Sequence, residues 1–596
     1  MERHRTSRIS ENPVRCSAPG SSAGSARRPA SRPNLVTSGP VGICGLDIVA
    51  PSVEGPQPDD HEECSMHSPS QESGVQDWVV IGSGFGGAVS ALRLAEKGYA
   101  VTVLEQGKRY QDQDFAKSAW QLHKVLWAPK LRLKGIMALT AFRHVSVLSG
   151  VGVGGGSLVY GNTLYVPHSD DFYRHPQWAD LADWRDVLTP HYATAQRMLG
   201  VTTFDREGPS EQMMKAIAAG LGVADTYHPT RVGVYLGTPA IRVPDPYFDG
   251  AGPPRTGCIR CGQCMLGCRI GAKNTLEKNY LHLAAQRGVR IEAERTVVDI
   301  RPAGADDGSD GYVVTTERSG SWIRRHRRQS RAAGIVLAAG ALGTNQLLRK
   351  CKDGGSLPAL SERLGDLVRT NSEAIVAVTA KNPRADLRAD LAITSSVHPD
   401  EHTHFTNNTY GYNGDAMSLN FGPSTSGPRR QLQFVMAMLR HPLRWLNPLR
   451  ALGWSRRSVV FTVMQSLDSS LSLRPRRKGG RLNTAIADGA PPSTFLPIAN
   501  RIADLAAEHI DGYAQTAVLE SLINTPTTAH ILGGAVIADD AEHGVVDRYR
   551  RVFGYQQFLI TDGSTVPANV GVNPSLTITA MAEEAISHIP AKQEPR

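Results

Sequence analysis

The first strong pattern of apolar and polar positions begins at residue 77. The segment 77–81 reads DWVVI, a short run of β-forming residues, and it leads directly into the glycine-rich sequence GSGFGG at 82–87. Apolar residues then recur at helical spacing through AVSALRLAEKGY, and the run AVTVLE follows at 100–105. This order predicts a strand, a tight loop, a helix and a second strand.

Each part of this unit suits the binding of a dinucleotide. Gly82 permits the tight turn, Gly84 lets the backbone approach a pyrophosphate, and Gly87 lets the helix pack closely on the strand. The helix N-terminus faces the phosphate charge. Glu105 ends the second strand, where its carboxylate can accept hydrogen bonds from ribose hydroxyls.

A second glycine-rich stretch, GVGVGGGSL at 150–158, lacks strand and helix patterns of its own. Gly154, Gly155 and Gly156, with Ser157, fit extended backbone that lies against a cofactor, since side chains would hold the backbone away. Flavoproteins often hold FAD with several remote segments. The chain has no second strand–loop–helix unit of this type for a nicotinamide cofactor, so the sequence favours FAD.

Between about 350 and 520 the pattern changes to short β-rich runs. They include EAIVAVTA at 373–380, DLAITSSV at 390–397 and VVFTVMQSL at 459–467. These runs predict an antiparallel sheet that forms the roof of a substrate pocket.

The segment 434–458 combines Leu, Met and Trp with five arginines, and Pro442 and Pro448 divide it into short helices. We interpret it as a helical insertion that caps the core. The alternative is an interfacial element that contacts lipid at a membrane surface.

Length and charge narrow the class of protein. A chain of 596 residues with 41% hydrophobic residues is not a single small domain. The net charge is +9, but seven arginines fall within 1–33 and five within 322–331. We interpret these as a solvated tail and a charged hairpin, and we expect no nucleic-acid partner.

Residues 1–75 are rich in Ser, Pro, Gly and Arg and are predicted to form a disordered tail. No apolar run follows Arg27 and Arg28, so we recognise no secretion signal. No stretch of 18 apolar residues predicts a transmembrane helix. We expect a cytoplasmic or peripherally membrane-associated protein.

Four cysteines, Cys258, Cys261, Cys264 and Cys268, fall within eleven residues in the spacing C-x2-C-x2-C-x3-C. This is the spacing of bacterial ferredoxins, without the proline that usually follows the last cysteine. An iron–sulfur or zinc site, a disulfide pair and free buried thiols all remain open. We rank a metal-type site above any one alternative.

Four sequence blocks resemble the glucose–methanol–choline (GMC) oxidoreductases and, within that family, a cholesterol-oxidase-like branch of actinobacterial type. They are DWVVIGSGFGGAVSALRLAEKG, GVGVGGGSLVYGNTLYVP, GIVLAAGALGTNQLL and FLITDGSTVPANVGVNPSLTITAMAEEA. The resemblance runs from about 77 to 588 and implies FAD as the cofactor.

The same resemblance implies further site residues. The last block would return to the flavin domain, with Asp562 and Gly563 near the ribityl and pyrophosphate groups. Asn573 and Pro574 would reach the flavin ring, and Asn162 in the second block would be another cofactor contact.

The resemblance also implies the two residues beside the reacting alcohol, His530 in AHILGGAV and Asn573 in VNPSLTITA. Oxidation of an alcohol removes the hydroxyl proton while hydride leaves the carbon. A histidine can position or deprotonate the hydroxyl, and a neutral amide can orient it. An isolated histidine can also cap a helix or fill a core, but its two following glycines favour the functional interpretation.

One departure from the branch concerns isomerisation of a double bond, which needs an active-site glutamate in the substrate domain. The corresponding segment, 393–413, has Phe405, Thr406 and Asn407 at the expected place, and Glu401 lies a few residues upstream. Oxidation is therefore better supported than isomerisation.

Together these observations predict an α/β protein: an FAD-binding Rossmann-like domain with a substrate domain built on a mostly antiparallel sheet with helices. We expect the tail at 1–75, the FAD domain at 76–350 with a cysteine-rich insertion at about 256–275, the substrate domain at 351–520, and the C-terminal return at 521–596.

The expected activity is FAD-dependent oxidation of the 3β-hydroxyl of a sterol such as cholesterol to the 3-ketone, with oxygen or a redox partner as the electron acceptor. A following isomerisation of a double bond stays open. One alternative is a GMC dehydrogenase for another hydrophobic or sugar-like alcohol that uses a non-oxygen acceptor. The other is a non-catalytic flavin-binding or electron-transfer module.

Overall fold

The structure is a computed structural model that describes residues 75–593 apart from 322–323, 428, 446, 477–479 and 488–489. The predicted tail, except for Val75, lies outside the described residues, and so does part of the predicted charged hairpin. The described residues belong to one compact unit. The predicted domain boundaries remain predictions.

The strands are β1 Gln76–Ile81, β2 Val101–Leu104, β3 Trp127–Ala128, β4 Leu133–Lys134, β5 Met137–Ala141, β6 Ser146–Gly150, β7 Thr202–Thr203, β8 His228–Pro229, β9 Arg231–Val232, β10 Arg242–Val243, β11 Arg255–Thr256, β12 Arg290–Glu292, β13 Arg295–Pro302, β14 Tyr312–Arg318, β15 Arg328–Leu337, β16 Ala374–Ala380, β17 Ser395–Val397, β18 Thr403–Asn408, β19 Phe421–Pro423, β20 Ser458–Gln465, β21 Leu471–Pro475, β22 Leu482–Ile486, β23 Gly512–Ala517, β24 Thr527–Thr528 and β25 Phe558–Ile560.

The α-helices are α1 Phe85–Glu96, α2 Leu122–Val125, α3 Asp170–Tyr173, α4 Trp184–Met198, α5 Pro209–Gly220, α6 Tyr280–Gln286, α7 Gly340–Asp353, α8 Arg430–Arg440, α9 Pro442–Trp445, α10 Trp454–Arg457, α11 Pro497–His509, α12 Val518–Leu522 and α13 Ser575–Ser587. Within the described ranges, none of the helices is long and apolar enough to cross a bilayer.

The predicted strand–loop–helix–strand unit forms the centre of the first sheet. β1 lies between β2 and β15, parallel to both, and β12 extends the parallel part beyond β2. β13 and β14 add an antiparallel edge. The last four residues of β1 form a continuous apolar run, and all four are buried. This is typical of a parallel strand that is covered on both faces.

The C-terminal part of the chain returns to this sheet. β25 pairs in parallel with the end of β15, and α13 packs against α1 and α4. Glu583 of α13 accepts hydrogen bonds from the Arg93 guanidinium at 2.7 and 2.8 Å and from the Tyr280 hydroxyl at 2.6 Å. Arg93 and Glu583, 490 positions apart in sequence, are therefore joined at the last turn of α1.

The second sheet is antiparallel throughout, in the order β19, β23, β16, β20, β18, β17 and β8. One face packs against α5 and α11, whose apolar residues form a core of their own with the strands. The predicted α/β fold class, with a parallel nucleotide-type sheet and a mostly antiparallel second sheet, is confirmed.

The segment 434–458 is divided into short helices, as the prolines predict. Trp445 and Trp454 are buried and anchor it, whereas Leu439, Leu443, Leu449 and Leu452 are exposed. The exposed apolar patch, as we name it, consists of Leu432, Leu439, Leu443, Leu449 and Leu452.

Candidate active site

The loop after β1 excludes side chains at three positions. A Cβ on Gly82, where φ is +101°, would lie 2.2 Å from the carbonyl oxygen of Ala338. A Cβ on Gly86 would lie 2.1 Å from the carbonyl oxygen of Thr561, and one on Gly87 would lie 2.0 Å from that of Gly82. Contacts this short with backbone cannot be relieved by side-chain motion, so the local geometry requires glycine.

Gly84 differs from its neighbours, because a Cβ there would meet no atom within 4 Å. Gly155 of the second glycine stretch lies beside it, and a Cβ on Gly155 would be 2.7 Å from the Gly84 Cα. The Gly154 N–H donates to the Ser83 hydroxyl at 3.1 Å. Two bare backbone segments thus meet at the N-terminus of α1, where N–H groups and the helix dipole favour a phosphate.

The other predicted residues of the second stretch hold it in place. Gly156 packs against the ring of Phe85, with a Cβ placed 3.5 Å from a ring carbon. The Ser157 hydroxyl donates to the Gly154 carbonyl at 2.7 Å and accepts from the Leu276 N–H at 3.1 Å. Ser157 therefore fixes the shape of the loop with both of its hydrogen bonds.

Glu105 follows β2 and is buried beside both glycine segments. Its carboxylate accepts hydrogen bonds from the Ser83 hydroxyl at 2.7 Å and from the Gly107 N–H at 2.7 Å. Burial raises the pKa of Glu105, and these hydrogen bonds oppose that rise. The Ser83 N–H also donates to this carboxylate, at 3.2 Å, so Glu105 ties the first glycine loop to the end of β2, where the sequence predicts contact with ribose hydroxyls.

Asn162 supplies the sharpest indication of a bound cofactor. Its side chain is 0% exposed, its φ is +72°, and neither amide atom has a hydrogen-bond partner among the described residues. A buried amide without partners costs free energy. The residues therefore fit a polar group that is not part of the protein, as the predicted contact with FAD requires.

The predicted residues of the C-terminal return lie on the other side of the first loop. The Asp562 carboxylate accepts hydrogen bonds from the N–H groups of Gly340 and Ser564, each at 2.8 Å, and burial raises its pKa. Gly563 packs on Leu532, with a Cβ placed 2.8 Å from a methyl carbon. Pro574 immediately precedes α13.

His530 and Asn573, 43 residues apart in sequence, are in direct contact. The Asn573 Nδ2 donates to the His530 Nε2 at 2.9 Å. On the other side of the ring, the His530 Nδ1 donates to Glu373 Oε1 at 2.6 Å. The Asn573 Oδ1 is buried without a partner in the described chain. The acceptor nitrogen of His530 and the amide N–H of Asn573 thus meet at one point.

Glu373 is a site residue that the sequence analysis missed. It lies directly before β16, its side chain is 1% exposed, and the Thr528 hydroxyl also donates to Oε1 at 2.7 Å. Nothing in the local sequence distinguishes Glu373, because the run EAIVAVTA that it begins is typical of any strand. The signal is nonlocal, as 157 residues separate it from His530.

A stack of histidines lies beside this site. His404 on β18 is buried, and its ring lies 4.7 Å from that of His398, which in turn lies 5.5 Å from that of His228. Burial lowers the pKa of His398 to about 4, and burial also lowers that of His404 well below its usual value.

Positions 405–407, where the isomerisation base is expected, carry Phe405, Thr406 and Asn407 and no carboxylate. Asn407 is fixed within the fold, accepting from the Thr394 and Ser395 N–H groups at 3.1 and 2.9 Å and donating to the Ser210 hydroxyl at 2.7 Å. Glu401 is exposed to solvent.

The four clustered cysteines are free thiols in a largely apolar pocket. No three of their sulfurs approach one another within 4.8 Å. A tetrahedral zinc ion needs thiolates about 3.8 Å apart, given a Zn–S bond of about 2.3 Å, so this arrangement does not fit zinc. Burial raises the pKa of Cys264 to about 11, so its thiol is protonated at neutral pH.

Lys273 joins the cysteine segment to the second glycine stretch. Its buried ammonium donates to the carbonyl oxygens of Leu158, Tyr160 and Cys264 at 3.0, 2.9 and 2.9 Å. Burial lowers its pKa to about 8.

The fold and the paired glycine loops define an FAD-dependent oxidoreductase. A family described as "FAD dependent oxidoreductase" matches residues 77–451, and one described as "GMC oxidoreductase" matches 459–582. The chain belongs to the GMC oxidoreductases, so the predicted family resemblance is confirmed and FAD is the cofactor.

Two curated relatives match along most of the chain. A cholesterol oxidase of Mycobacterium tuberculosis is 48% identical over 87% of this chain and 92% of its own length. A cholesterol oxidase of Acinetobacter baumannii is 42% identical over 87% of this chain and 94% of its own length. The solved structure of pyridoxine 4-oxidase from Mesorbium loti covers 86% of this chain and 99% of its own, with a TM-score of 0.55 and 14% identity, which supports the fold alone.

Proposed function

We propose that this enzyme oxidises the 3β-hydroxyl of a sterol such as cholesterol to the ketone. The observation that carries the proposal is the 48% identity to a cholesterol oxidase over most of both chains. The contact between His530 and Asn573 supports it, because it supplies one proton acceptor and one neutral orienting amide at a single point.

When bound, FAD supplies the acceptor for the hydride that leaves the alcohol carbon. His530 Nε2 carries no proton when Nδ1–H is donated to Glu373. When the substrate hydroxyl replaces the Asn573 amide N–H at this nitrogen, Nε2 can receive the hydroxyl proton. Asn573 Nδ2 then donates a hydrogen bond to the substrate oxygen and orients the substrate without adding charge. The hydroxyl proton thus ends on His530 as the C–H bond breaks.

The test is an assay of the purified FAD-loaded protein with cholesterol, with its 3α-hydroxyl epimer and with non-sterol alcohols. We expect the flavin absorbance to bleach anaerobically with cholesterol only. Bleaching by a short or sugar-like alcohol but not by cholesterol would favour the alternative dehydrogenase. No bleaching by any alcohol would favour the non-catalytic module.

The electron acceptor is proposed to be oxygen, as the word oxidase in the names of both relatives suggests. Hydrogen peroxide formed in one-to-one ratio with ketone supports this proposal. Turnover only with an artificial acceptor would instead point to a redox partner.

An iron–sulfur cluster remains our proposal for the four cysteines. A cluster separates its thiolates by more than a single ion does, because irons and sulfides lie between them, so the wide sulfur spacing is compatible with it. Iron and acid-labile sulfide in anaerobically prepared protein would support it. Metal-free protein with full activity would leave the cysteines as structural thiols.

We also propose that the exposed apolar patch contacts a membrane from which a sterol is taken. Leu443 is 83% exposed, and the exposed Arg440 and Arg444 beside it suit anionic headgroups. Leu443→Ser should weaken co-sedimentation with vesicles that contain anionic lipid. Leu131→Ser, at an exposed leucine between β3 and β4, is the control and should not.

A further inference from the structure

The five residues 369–373 lie between two parts of the active site. They precede β16, and the φ angles of Asn371 and Ser372 are +59° and +45°. Left-handed backbone at non-glycine residues costs free energy and persists only where surrounding contacts impose it. The contacts of Arg369, Asn371 and Glu373 show what imposes it here.

Glu373 holds the ring of His530. Its Oε1 accepts from the His530 Nδ1 at 2.6 Å and from the Thr528 hydroxyl at 2.7 Å, and Oε2 accepts from the Ala529 N–H at 3.2 Å. Both carboxylate oxygens are thus engaged with the segment that carries His530. This arrangement fixes the orientation of the ring and leaves Nε2 as the acceptor.

Asn371 holds the loop that carries Asn573. Its Nδ2 donates to the Val572 carbonyl at 2.7 Å, and its Oδ1 accepts from the Gly571 N–H at 3.1 Å. Its own N–H donates to Asn569 Oδ1 at 3.1 Å. Three hydrogen bonds therefore fix the three positions 569, 571 and 572, which end one residue before Asn573.

Arg369 supports the start of the same loop. Its Nε donates to the Pro567 carbonyl at 2.9 Å, and its Nη1 donates to the Ser469 carbonyl at 3.0 Å. The guanidinium also pairs with Asp468 and lies 3.0 Å from the His175 Nε2. Arg369 is buried, whereas its partner Asp468 is largely exposed.

We propose that Arg369, Asn371 and Glu373 form a positioning clamp, in which Glu373 sets the tautomer and orientation of His530 while Asn371 and Arg369 set the loop of Asn573. The roles of His530 and Asn573 rest on the proposed function. The segment 369–373 contacts both loops, so it sets the distance between the side chains of His530 and Asn573.

Glu520 offers a matched control for Glu373. It is a second buried carboxyl that faces the same polar cavity, but its hydrogen bonds go to the Ile375 N–H at 3.2 and 3.3 Å and not to His530. Burial raises the pKa of Glu520 to about 8. Hydrogen bonds from backbone N–H groups oppose this rise, and the charge of Glu373 adds to it. At pH 7 glutamine therefore resembles its protonated form closely.

The first test compares Glu373→Gln with Glu520→Gln in the FAD-loaded enzyme. Glu373→Gln should keep FAD and slow flavin reduction at saturating alcohol by on the order of 10²-fold, with KM changed much less, because the wrong tautomer removes the proton acceptor. Glu520→Gln should stay within about threefold of the parent. Equal rates in Glu373→Gln and the parent would overturn the clamp.

A second readout needs no substrate. A buried histidine N–H donated to a carboxylate at 2.6 Å should give a far-downfield proton resonance in the oxidised holoenzyme. It should vanish in Glu373→Gln and in His530→Ala and persist in Glu520→Gln. If the resonance shows this pattern in the three variants but the enzyme does not oxidise sterols, the proposed function fails and the clamp stands. If Glu373→Gln retains it, the clamp fails.

The Asn371 arm is tested by Asn371→Gly against Ser372→Gly. Glycine suits the left-handed backbone at both positions. The Ser372 hydroxyl forms a hydrogen bond with that of Ser469 at 2.7 Å and, unlike Asn371, does not hold the loop of Asn573. Asn371→Gly should lower the flavin-reduction rate about tenfold with FAD retained, because Asn573 loses its fixed position. An equal effect of the two variants would overturn this arm.

Discussion

The glycine-loop region and the His530 region differ in how the chain builds them. The first is contiguous: β1, its loop, α1, β2 and Glu105 all fall within 76–105. The second gathers Asn371, Glu373, His530 and Asn573 from segments separated by up to 202 positions. Contiguous sites follow from local backbone rules, whereas dispersed sites depend on how whole sheets pack.

The largest effect is expected from Gly86→Val, a substitution that disrupts the contiguous region. Gly86→Val would place a side chain against the Thr561 carbonyl, where even a Cβ lies at 2.1 Å. Because backbone must move on both sides, we expect loss of folded, FAD-containing protein, at a cost above about 4 kcal/mol. FAD content and thermal unfolding measure it.

Gly84→Ala is the matched control, since a Cβ at Gly84 meets no atom within 4 Å. This variant should fold with nearly the parent melting temperature but bind FAD more weakly. If Gly84→Ala unfolds as Gly86→Val does, the loop is constrained by packing alone and the comparison between the two regions is weakened.

The next effect breaks the dispersed region without harming the first. His530→Ala or Asn573→Ala should retain FAD and slow substrate reduction of the flavin by on the order of 10²–10⁴. Rapid-mixing absorbance measures the rate, and the flavin spectrum of the purified variant reports cofactor retention. Parent rates in both variants would place the active site elsewhere.

The sequence predicted the contiguous region well because its signals are short range. Glycine at 82 and 87, the helical spacing and Glu105 each follow from turn, helix or strand geometry. Glu373 and Asn371 carry no such signal, since a glutamate or asparagine before a strand is ordinary in any protein. Only the pairing of β16 with β20 and β23, and the return of residues 558–585, place them at the site.

The third effect tests the acidic end of the contiguous region. Glu105→Gln should keep the fold but weaken FAD affinity, because a charged acceptor of ribose hydroxyls becomes a weaker neutral one. We expect about 1.5–3 kcal/mol, roughly 10- to 150-fold in Kd. Apoprotein titration with FAD measures it. An unchanged Kd would mean that Glu105 only braces Ser83 and Gly107.

The smallest effect concerns the histidine stack beside the dispersed region. His398 has a pKa of about 4 in the fold against 6.5 for the ordinary group, through burial and then through His228 and His168, with Asp400 opposing. The unfolded chain therefore binds more protons below pH 6.5, and stability falls as pH drops from about 6.5 towards 4. In the parent, the free energy of unfolding falls between pH 7 and pH 5. His398→Gln should make this fall smaller by about 1–2 kcal/mol, after allowance for solvent screening at this partly exposed group. Denaturant unfolding at pH 7 and pH 5 measures it. An equal change in acid stability without His398 would show that His398 is not the acid-sensitive group, and would point instead to His404 in the same stack, whose pKa burial also lowers.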